Sequence, residues 1–338
     1  MDVIGPYAAT LAVYFLIYIV LTLGLNIQFG YTGILNFTYI LFMALGAYIA
    51  GVTTLSPAAV GSGQEYILGW NLPFPIPLLL GGLGAGAVGA LMGLVIFRRL
   101  RSDYLAVVTF AIGFIAYDFV GNFTPLFDGF QGIIGVPEPW SNAFGLNIDT
   151  YTYFFVGICA VVVAILWFIS TRLQRSPIGR TLRAIREDSD QAEALGKNTF
   201  KYKMFALVLG CTYAGIGGAL TVEFTSAMNP SGWTSFETFI IFAALIVGGR
   251  GSNFGAVLGT LLFPTILDEG TRLLPQLQNN PELIAALRNV AIGTGLLIAM
   301  YLRPEGLIPE ARHRILRRRK IRGDTSQLVA PGGVGEHG

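Results

Sequence analysis

The chain has 338 residues, of which 53% are hydrophobic and only 12% carry a charge, and its mean hydropathy is +0.62. Soluble domains carry about 25% charged residues, so this composition excludes an ordinary soluble enzyme or nucleic-acid-binding protein. It indicates a helical membrane protein, a class in which numerous glycines, 43 here, let helices pack closely. The net charge of +2 indicates little by itself, and no cleavable signal peptide is evident before the first apolar stretch.

Apolar stretches follow one another along most of the chain, and each is about as long as the roughly 20 residues that a spanning helix needs. The sequence therefore predicts an all-α, polytopic membrane protein with about nine (8–10) transmembrane helices. The second stretch carries Asn36, Thr38 and Tyr39 near its start, so we expect it to be broken or partly re-entrant. The predicted spans are 6–29, 31–55, 76–97, 104–123, 151–171, 203–224, 235–249, 254–273 and 284–302.

Basic side chains set the predicted orientation of these spans. They cluster in residues 98–101, 172–203 and 303–322, which the positive-inside rule places in the cytoplasm. The N-terminus then lies outside, unless the second stretch crosses the membrane twice. The loops predicted to face outside contain acidic residues but no Lys or Arg, which agrees with this orientation; they are 56–75, 124–150, 225–234 and 274–283.

Two regions follow from this pattern. Residues 1–310 are predicted to form the transmembrane domain, with 172–203 as its main cytoplasmic loop. Residues 311–338 are predicted to form a cytoplasmic tail that is basic at first and then disordered by composition.

The loop 172–203 is a polar insert between long apolar segments, and its charges are arranged as if for two short helices. Ser176 is placed to cap the first, just before Pro177, and Asp188 is placed to cap the second. Gly196 is placed to end the second helix in a left-handed conformation. The small residues before it permit close approach of another protein. The pattern alone leaves two interpretations about even, a solvated loop and a docking element for a partner.

Motifs spread over roughly residues 20–310 carry a more specific signal. They are "GLNIQFGYTGILNF", "ALGAY", "RLRSDYLAVVTFAIGF", "PIGRTLRAIREDSDQAEALG", "YAGIGGAL", "VGGRGSNFGAVLG" and "RPEGLI". In order and spacing they resemble the membrane permease subunits of ABC importers of the branched-chain amino acid type. The resemblance implies a non-catalytic transmembrane subunit in the cell (inner or plasma) membrane that binds no cofactor, with ATP and Mg bound on partner ATPase subunits.

The polar insert resembles the coupling loop of that family, which implies that it docks on a cytoplasmic ATPase. The implied partners are a second homologous permease, two ABC ATPase subunits, an extracytoplasmic solute-binding protein and the lipid membrane, with no nucleic acid. The residues expected to take part in coupling are Gly179, Arg183, Arg186, Glu187, Asp188, Ala192, Glu193, Ala194 and Gly196.

The substrate and its pathway are the least specific part of the resemblance. Many family members read "LSLGHAAFFGIGAY" where this chain reads "LNFTYILFMALGAY", and "DGFQGI" at 128–133 replaces a Gly-Gly-Pro-Asn-Gly-Ile-type stretch. Asn36, Thr38 and Tyr39 are the candidates for lining the pathway, with an interhelical hydrogen bond as the alternative role for Asn36. We expect branched-chain or other hydrophobic amino acids to be the substrate. A urea or short-amide importer and an ion-coupled secondary transporter are the alternatives.

Other notable residues favour no further site. Cys159 and Cys211 have no metal-ligand spacing, so no metal site is expected. The stretch "GGRGSNFG" at 248–255 lacks the Gly-Lys-Ser/Thr ending of a phosphate loop, and a tight cytoplasmic turn is predicted there. Four acidic residues near the outer ends of spans are expected to reach the membrane interface; they are Asp118, Glu223, Glu237 and Asp268.

Overall fold

The computed structural model describes most of the chain. The described residues are 4–57, 64–99, 102–141, 145, 147–269 and 306–308, with isolated positions between 287 and 301. The predicted outer loop 274–283 and tail 311–338 lie outside the described residues, as does most of the predicted span 284–302.

Helices account for nearly all of the regular structure, so the predicted all-α class is confirmed. The helices are α1 (Ile4–Leu25), α2 (Tyr39–Thr54), α3 (Ile76–Arg99), α4 (Ser102–Asn122), α5 (Thr124–Phe127), α6 (Ile148–Arg175), α7 (Pro177–Glu187), α8 (Ser189–Ala194), α9 (Thr199–Thr225), α10 (Ser235–Gly248) and α11 (Asn253–Thr260). Strands β1 (Ile133–Ile134) and β2 (Ala227–Met228) form one short antiparallel pair. Helix α1 continues into a π-helical turn, Asn26–Tyr31, and α11 continues into another, Leu261–Glu269.

The predicted polytopic membrane fold is also confirmed. Within the described residues, 6 helices are long and apolar enough to cross a bilayer, and two shorter apolar helices cover Tyr39–Thr54 and Asn253–Ile266. The total of about nine spans stays a prediction.

The second predicted span is broken, as its polar residues indicate. Residues 32–38 are not helical, and α2 begins only at Tyr39. At about 1.5 Å per residue, α2 is about 24 Å long, less than the roughly 30 Å of the hydrocarbon core. The break in this span is confirmed, while the number of times the segment crosses the membrane stays a prediction.

Loops that the charge pattern assigns to one side of the membrane lie together in the structure. At one end β1 pairs with β2, and the N–H of Glu65 donates to Asp128 Oδ1 at 3.3 Å. At the other end Gln174 Nε2 donates to the carbonyl of Gly251 at 3.0 Å. The structure groups the loops as the charges predict, while the assignment of one end to the cytoplasm stays a prediction.

Small residues bring α2, α3 and α9 into backbone contact at the centre of the molecule. A Cβ atom added to Gly46 of α2 would overlap the backbone of Gly215 in α9, and one added to Gly81 of α3 would lie 2.6 Å from the Gly46 carbonyl oxygen. Such approach suits a membrane protein, in which helices associate through close packing rather than through exclusion of water. These three helices form the core that supports the loops at both ends.

Candidate functional site

The polar insert forms two short helices with the predicted caps. Ser176 Oγ accepts a hydrogen bond from the N–H of Gly179 at 3.2 Å, and Pro177 occupies the first helical position. Asp188 Oδ1 accepts from the N–H groups of Asp190 at 3.0 Å and Gln191 at 2.9 Å. The caps satisfy amide groups that have no partner inside a helix, which explains why the chain bends between α7 and α8.

The second helix ends at Gly196, whose φ of +77° is the predicted left-handed conformation. The N–H of Lys197 donates to the carbonyl of Ala192 at 3.1 Å, which closes the last turn. This ending projects Glu193, Ala194 and Leu195 outward, and the Leu195 side chain is 81% exposed. Leu195 thus gives the turn between α8 and the apolar helix α9 an exposed apolar side chain outside any candidate span, which a protein partner can cover.

The opposite side of the insert is attached to the rest of the chain. Leu182 and Ile185 of α7 and Ala192 of α8 are buried. Leu182 belongs to the main apolar core of the membrane helices. The nine predicted coupling residues therefore do not share one exposed surface, because Ala192 and Gly179 face inward.

Two arginines of α7 contact the chain itself. Arg183 donates from Nε to the carbonyl of Gly179 at 3.3 Å and from Nη2 to that of Gln174 at 3.1 Å. Arg186 Nη1 donates to the carbonyl of Gly30, in the π-helical turn that follows α1. Both arginines fix the position of α7, whereas Glu187 and Glu193 remain exposed.

The glycine-rich stretch 248–255 forms the predicted tight turn, between α10 and α11, and joins the same assembly. Asn26 Oδ1 accepts from the N–H of Gly251 at 2.9 Å, and Asn26 Nδ2 donates to Asn253 Oδ1 at 3.1 Å. Tyr31 OH donates to Asn253 Oδ1 at 2.6 Å. With the bond from Gln174 to Gly251, these contacts connect the polar insert, the turn and the π-helical segment in one hydrogen-bonded network.

The sequence does not predict this network. Asn26, Gln174 and Asn253 each lie at or near an end of a predicted span, where a polar residue is unremarkable. Their spacing along the chain carries no signal that they meet. The one feature of the sequence that points to the network is an amide side chain at the end of an otherwise apolar span.

The predicted pathway residues are buried in the protein, and their side chains form hydrogen bonds there. Asn36 is fully buried, and its Nδ2 donates to Gln28 Oε1 at 3.1 Å while its Oδ1 accepts from the N–H of Thr38 at 3.1 Å. Thr38 Oγ1 donates to the carbonyl of Thr109 in α4. Tyr39 OH donates to a carbonyl of α1 at 2.8 Å. These bonds hold the break in place, and a role in the pathway stays a prediction.

A second surface beside the break is aromatic. The Phe37 ring lies 5.3 Å from that of Phe239 and 5.0 Å from that of Phe242 in α10, and Phe110 of α4 lies 6.0 Å from Phe239. Phe239 is 43% exposed. The surface offers apolar contact and no fixed charge.

The acidic residues do not all reach the membrane interface. Glu223 is 1% exposed, and within the described part of the chain its Oε2 has no hydrogen-bond partner, so the expectation for this residue is wrong. The reason is the central position of α9, which packs against α1, α2 and α3. Asp118 is exposed, Glu237 accepts from Tyr18 OH at 3.5 Å, and the side chain of Asp268 lies outside the described residues.

Cys159 and Cys211 are both free thiols and both buried, and Cys211 Sγ accepts a hydrogen bond from Gln28 Nε2 at 3.4 Å. Among the residues that the structure describes, no three His, Cys, Asp or Glu residues are grouped so as to hold a metal ion.

Comparison with known proteins identifies relatives over nearly the whole chain. A family model described as "Branched-chain amino acid transport system / permease component" matches residues 7–300. The chain is 30% identical over 320 residues to the high-affinity branched-chain amino acid transport system permease protein LivM of Escherichia coli (strain K12), covering 89% of this chain and 69% of the relative. It is 27% identical to the probable permease protein LivM of Methanocaldococcus jannaschii, covering 88% of this chain and 92% of the relative.

A different type of permease is also similar. The LivH permease protein of Escherichia coli (strain K12) is 25% identical over 259 residues, which cover 72% of this chain and 79% of the relative. No solved structure matches the chain. The family match covers far more than half of the chain and agrees with the apolar helices, so the protein is a multi-pass membrane protein and belongs to the family of permease components of branched-chain amino acid transport systems.

Proposed function

We propose that this chain is a transmembrane subunit of an ATP-driven ABC importer for branched-chain amino acids or other apolar amino acids. The observation that carries the proposal is the family match over residues 7–300, together with relatives whose names state this substrate class. The chain itself performs no chemistry in this proposal. ATP and Mg bind to two separate cytoplasmic ATPase subunits, and an extracytoplasmic protein delivers the solute.

The translocation pathway then forms between this chain and a second permease. The similarity to both LivM and LivH proteins of one organism supports a pair of unlike permeases. The higher identity to LivM supports the LivM-type position for this chain and leaves a LivH-type protein as its partner.

The coupling role of 172–203 is supported by its two contrasting sides. Leu195 offers an exposed apolar contact, while Arg186 and Gln174 connect the insert to the π-helical turn and to the glycine-rich turn. A displacement imposed on the tip by an ATPase would reach both turns through these bonds. The insert thus connects the cytoplasmic ATPase to the broken second span.

Two surfaces are proposed for the pathway. Asn36, Thr38 and Tyr39 hold the broken segment, and Phe37 and Phe239 present apolar rings beside it. A pathway without fixed charge binds an apolar amino acid weakly, which suits passage better than storage. Selection of the solute then rests mainly with the binding protein.

ATP-driven uptake by the reconstituted assembly tests the proposed function. The chain is purified with a LivH-type permease, two ATPase subunits and a solute-binding protein from the same organism, and placed in vesicles that contain ATP. We expect uptake of labelled leucine, isoleucine and valine that stops when the ATPases cannot hydrolyse ATP. Uptake of urea with none of the amino acids would favour the urea importer, and uptake driven by an ion gradient without ATP would favour a secondary transporter.

The docking role of the tip is tested by Leu195→Ser. This change removes apolar surface from a position that is 81% exposed, so it leaves the fold intact and weakens ATPase binding. We expect less ATPase to co-purify with the tagged permease at an unchanged permease yield. Lys197→Ser is the matched control, because Lys197 is exposed two residues further on, and it should retain the ATPases. Equal ATPase recovery from both variants would count against docking at Leu195.

A further inference from the structure

A cavity of about 450 Å³ lies beneath the polar insert, on the side that faces the membrane helices. Its walls come from α7, the starts of α4, α8 and α9, and the end of α3, together with residues at the break after α1. Its volume is within the range of small-molecule sites. The proposed function makes no use of this space.

The lining combines both signs of charge with apolar walls. Arg186 and Lys203 bring positive charge, Glu187 brings negative charge, and Thr32, Ser189 and Thr199 add hydroxyl groups to the lining. Phe97, Leu105 and Phe200 are among the apolar residues on the same cavity. A ligand that matches this lining carries a carboxylate, an ammonium group and an apolar body in one small molecule.

A free amino acid with an apolar side chain has that chemistry. Its carboxylate would accept a hydrogen bond from Lys203 beside the positive charge of Arg186, whose Nη1 already donates to the Gly30 carbonyl. Its ammonium group would be recognised by Glu187 and its side chain by the apolar wall. An anionic lipid headgroup fits less well, because Glu187 opposes its phosphate and nothing in a phosphodiester uses that carboxylate. The charge pattern therefore favours a zwitterion.

We propose that this cavity binds the imported amino acid from the cytoplasmic side and slows transport as the product accumulates. The inference rests on the proposed function for the identity of the substrate and the location of this end of the molecule. A ligand there contacts Arg186 and Glu187 of α7 and Lys203 of α9 together, and so holds the insert at one spacing from the membrane helices. Because a ligand shifts an equilibrium toward the conformation that it binds best, occupancy opposes any step in which the insert moves.

The test uses the full reconstituted assembly in vesicles that contain ATP and different amounts of leucine. The initial rate of labelled leucine uptake is measured against luminal leucine, and each variant is compared with its own rate in leucine-free vesicles. We expect luminal leucine to slow the wild-type protein. Lys203→Met should raise the luminal concentration for half-inhibition about tenfold, which corresponds to loss of one charge-assisted hydrogen bond at a partly exposed site. Lys201→Met, an exposed lysine outside the cavity lining, should retain the wild-type value.

Three other results would overturn the inference, and they can be told apart. Normal uptake with no inhibition, or with equal half-inhibition in wild type and Lys203→Met, overturns this inference alone. If the rate follows the anionic lipid content and Lys203→Met removes that dependence, the cavity binds a lipid headgroup and the inference is wrong. Absence of any ATP-driven amino acid uptake in leucine-free vesicles overturns the proposed function and this inference with it.

Discussion

Gly46 occupies a position where the absence of a side chain decides the fold. The backbone of Gly215 fills the space that a Cβ atom at Gly46 would need, and neither helix has a flexible side chain there that could yield. We expect Gly46→Ala to destabilise the protein by at least the 1–3 kcal/mol typical of overpacking. The measurement is the fraction of protein that remains monodisperse after heating in detergent.

Gly157 supplies the control for that substitution. It lies within α6, and among the described residues outside its own helical turns no heavy atom lies within 4 Å of an added Cβ atom. Gly157→Ala therefore gains helix propensity, about 1 kcal/mol, without a clash. Equal loss of heat resistance in the two variants would show that helix contact at Gly46 is not the cause.

At the scale of elements, side-chain hydrogen bonds stabilise the break between α1 and α2, because the backbone there does not form the hydrogen bonds of a helix. Asn36 supplies two of them, to Gln28 and to the N–H of Thr38. Asn36→Leu leaves these buried groups unsatisfied at a cost of about 1–3 kcal/mol each. We expect a lower midpoint of thermal unfolding, and uptake reduced in proportion to the folded protein that remains.

The double variant Gln28→Leu with Asn36→Leu separates this role from a role in the pathway. Because the two side chains share a bond, the double variant should lose less stability than the sum of the losses in the two single variants. Unchanged thermal stability with slower uptake per folded molecule would instead assign Asn36 to the pathway.

The polar insert shows which features of an element a sequence predicts. The caps at Ser176 and Asp188 and the ending at Gly196 depend on residues at most five positions away, so local pattern was sufficient to predict them. The bond from Arg186 to Gly30 joins residues 156 positions apart, and no local pattern indicates it. Arg183 and Arg186 were for that reason predicted as docking residues, although they also attach the insert to the chain.

For the whole molecule, the grouping of loops at two ends could be predicted because basic residues record the side of the membrane on which each loop remains. The central position of α9 could not, because an apolar sequence suits contact with lipid and contact with other helices alike. Glu223 shows the result, since a carboxyl near the end of a span was expected to reach the interface and is instead enclosed. Packing between spans is a property of the assembled molecule.

Single cysteines test the orientation of the two ends. Lys197 and Gln131 are both exposed and belong to opposite ends, while the native Cys159 and Cys211 are buried. We expect an impermeant maleimide to label Gln131→Cys in intact cells and Lys197→Cys only after the membrane is opened. The reverse pattern would invert the proposed topology, and with it the side on which the ATPases bind.

The segment Gly306 to Ile308 closes the end of α10 from a distant part of the sequence. The N–H groups of Leu307 and Ile308 donate to the carbonyls of Val247 and Gly248 at 2.8 and 3.0 Å. Gly306 and Gly249 lie backbone against backbone, and both have positive φ. A Cβ atom added to Gly306 would overlap the backbone of Gly249, and one added to Gly249 would overlap the carbonyl of Ile308. The turn that the chain begins at Gly248 is thus completed by a distant segment, and removal of 306–308 would leave the carbonyl groups of Val247 and Gly248 without these two donors.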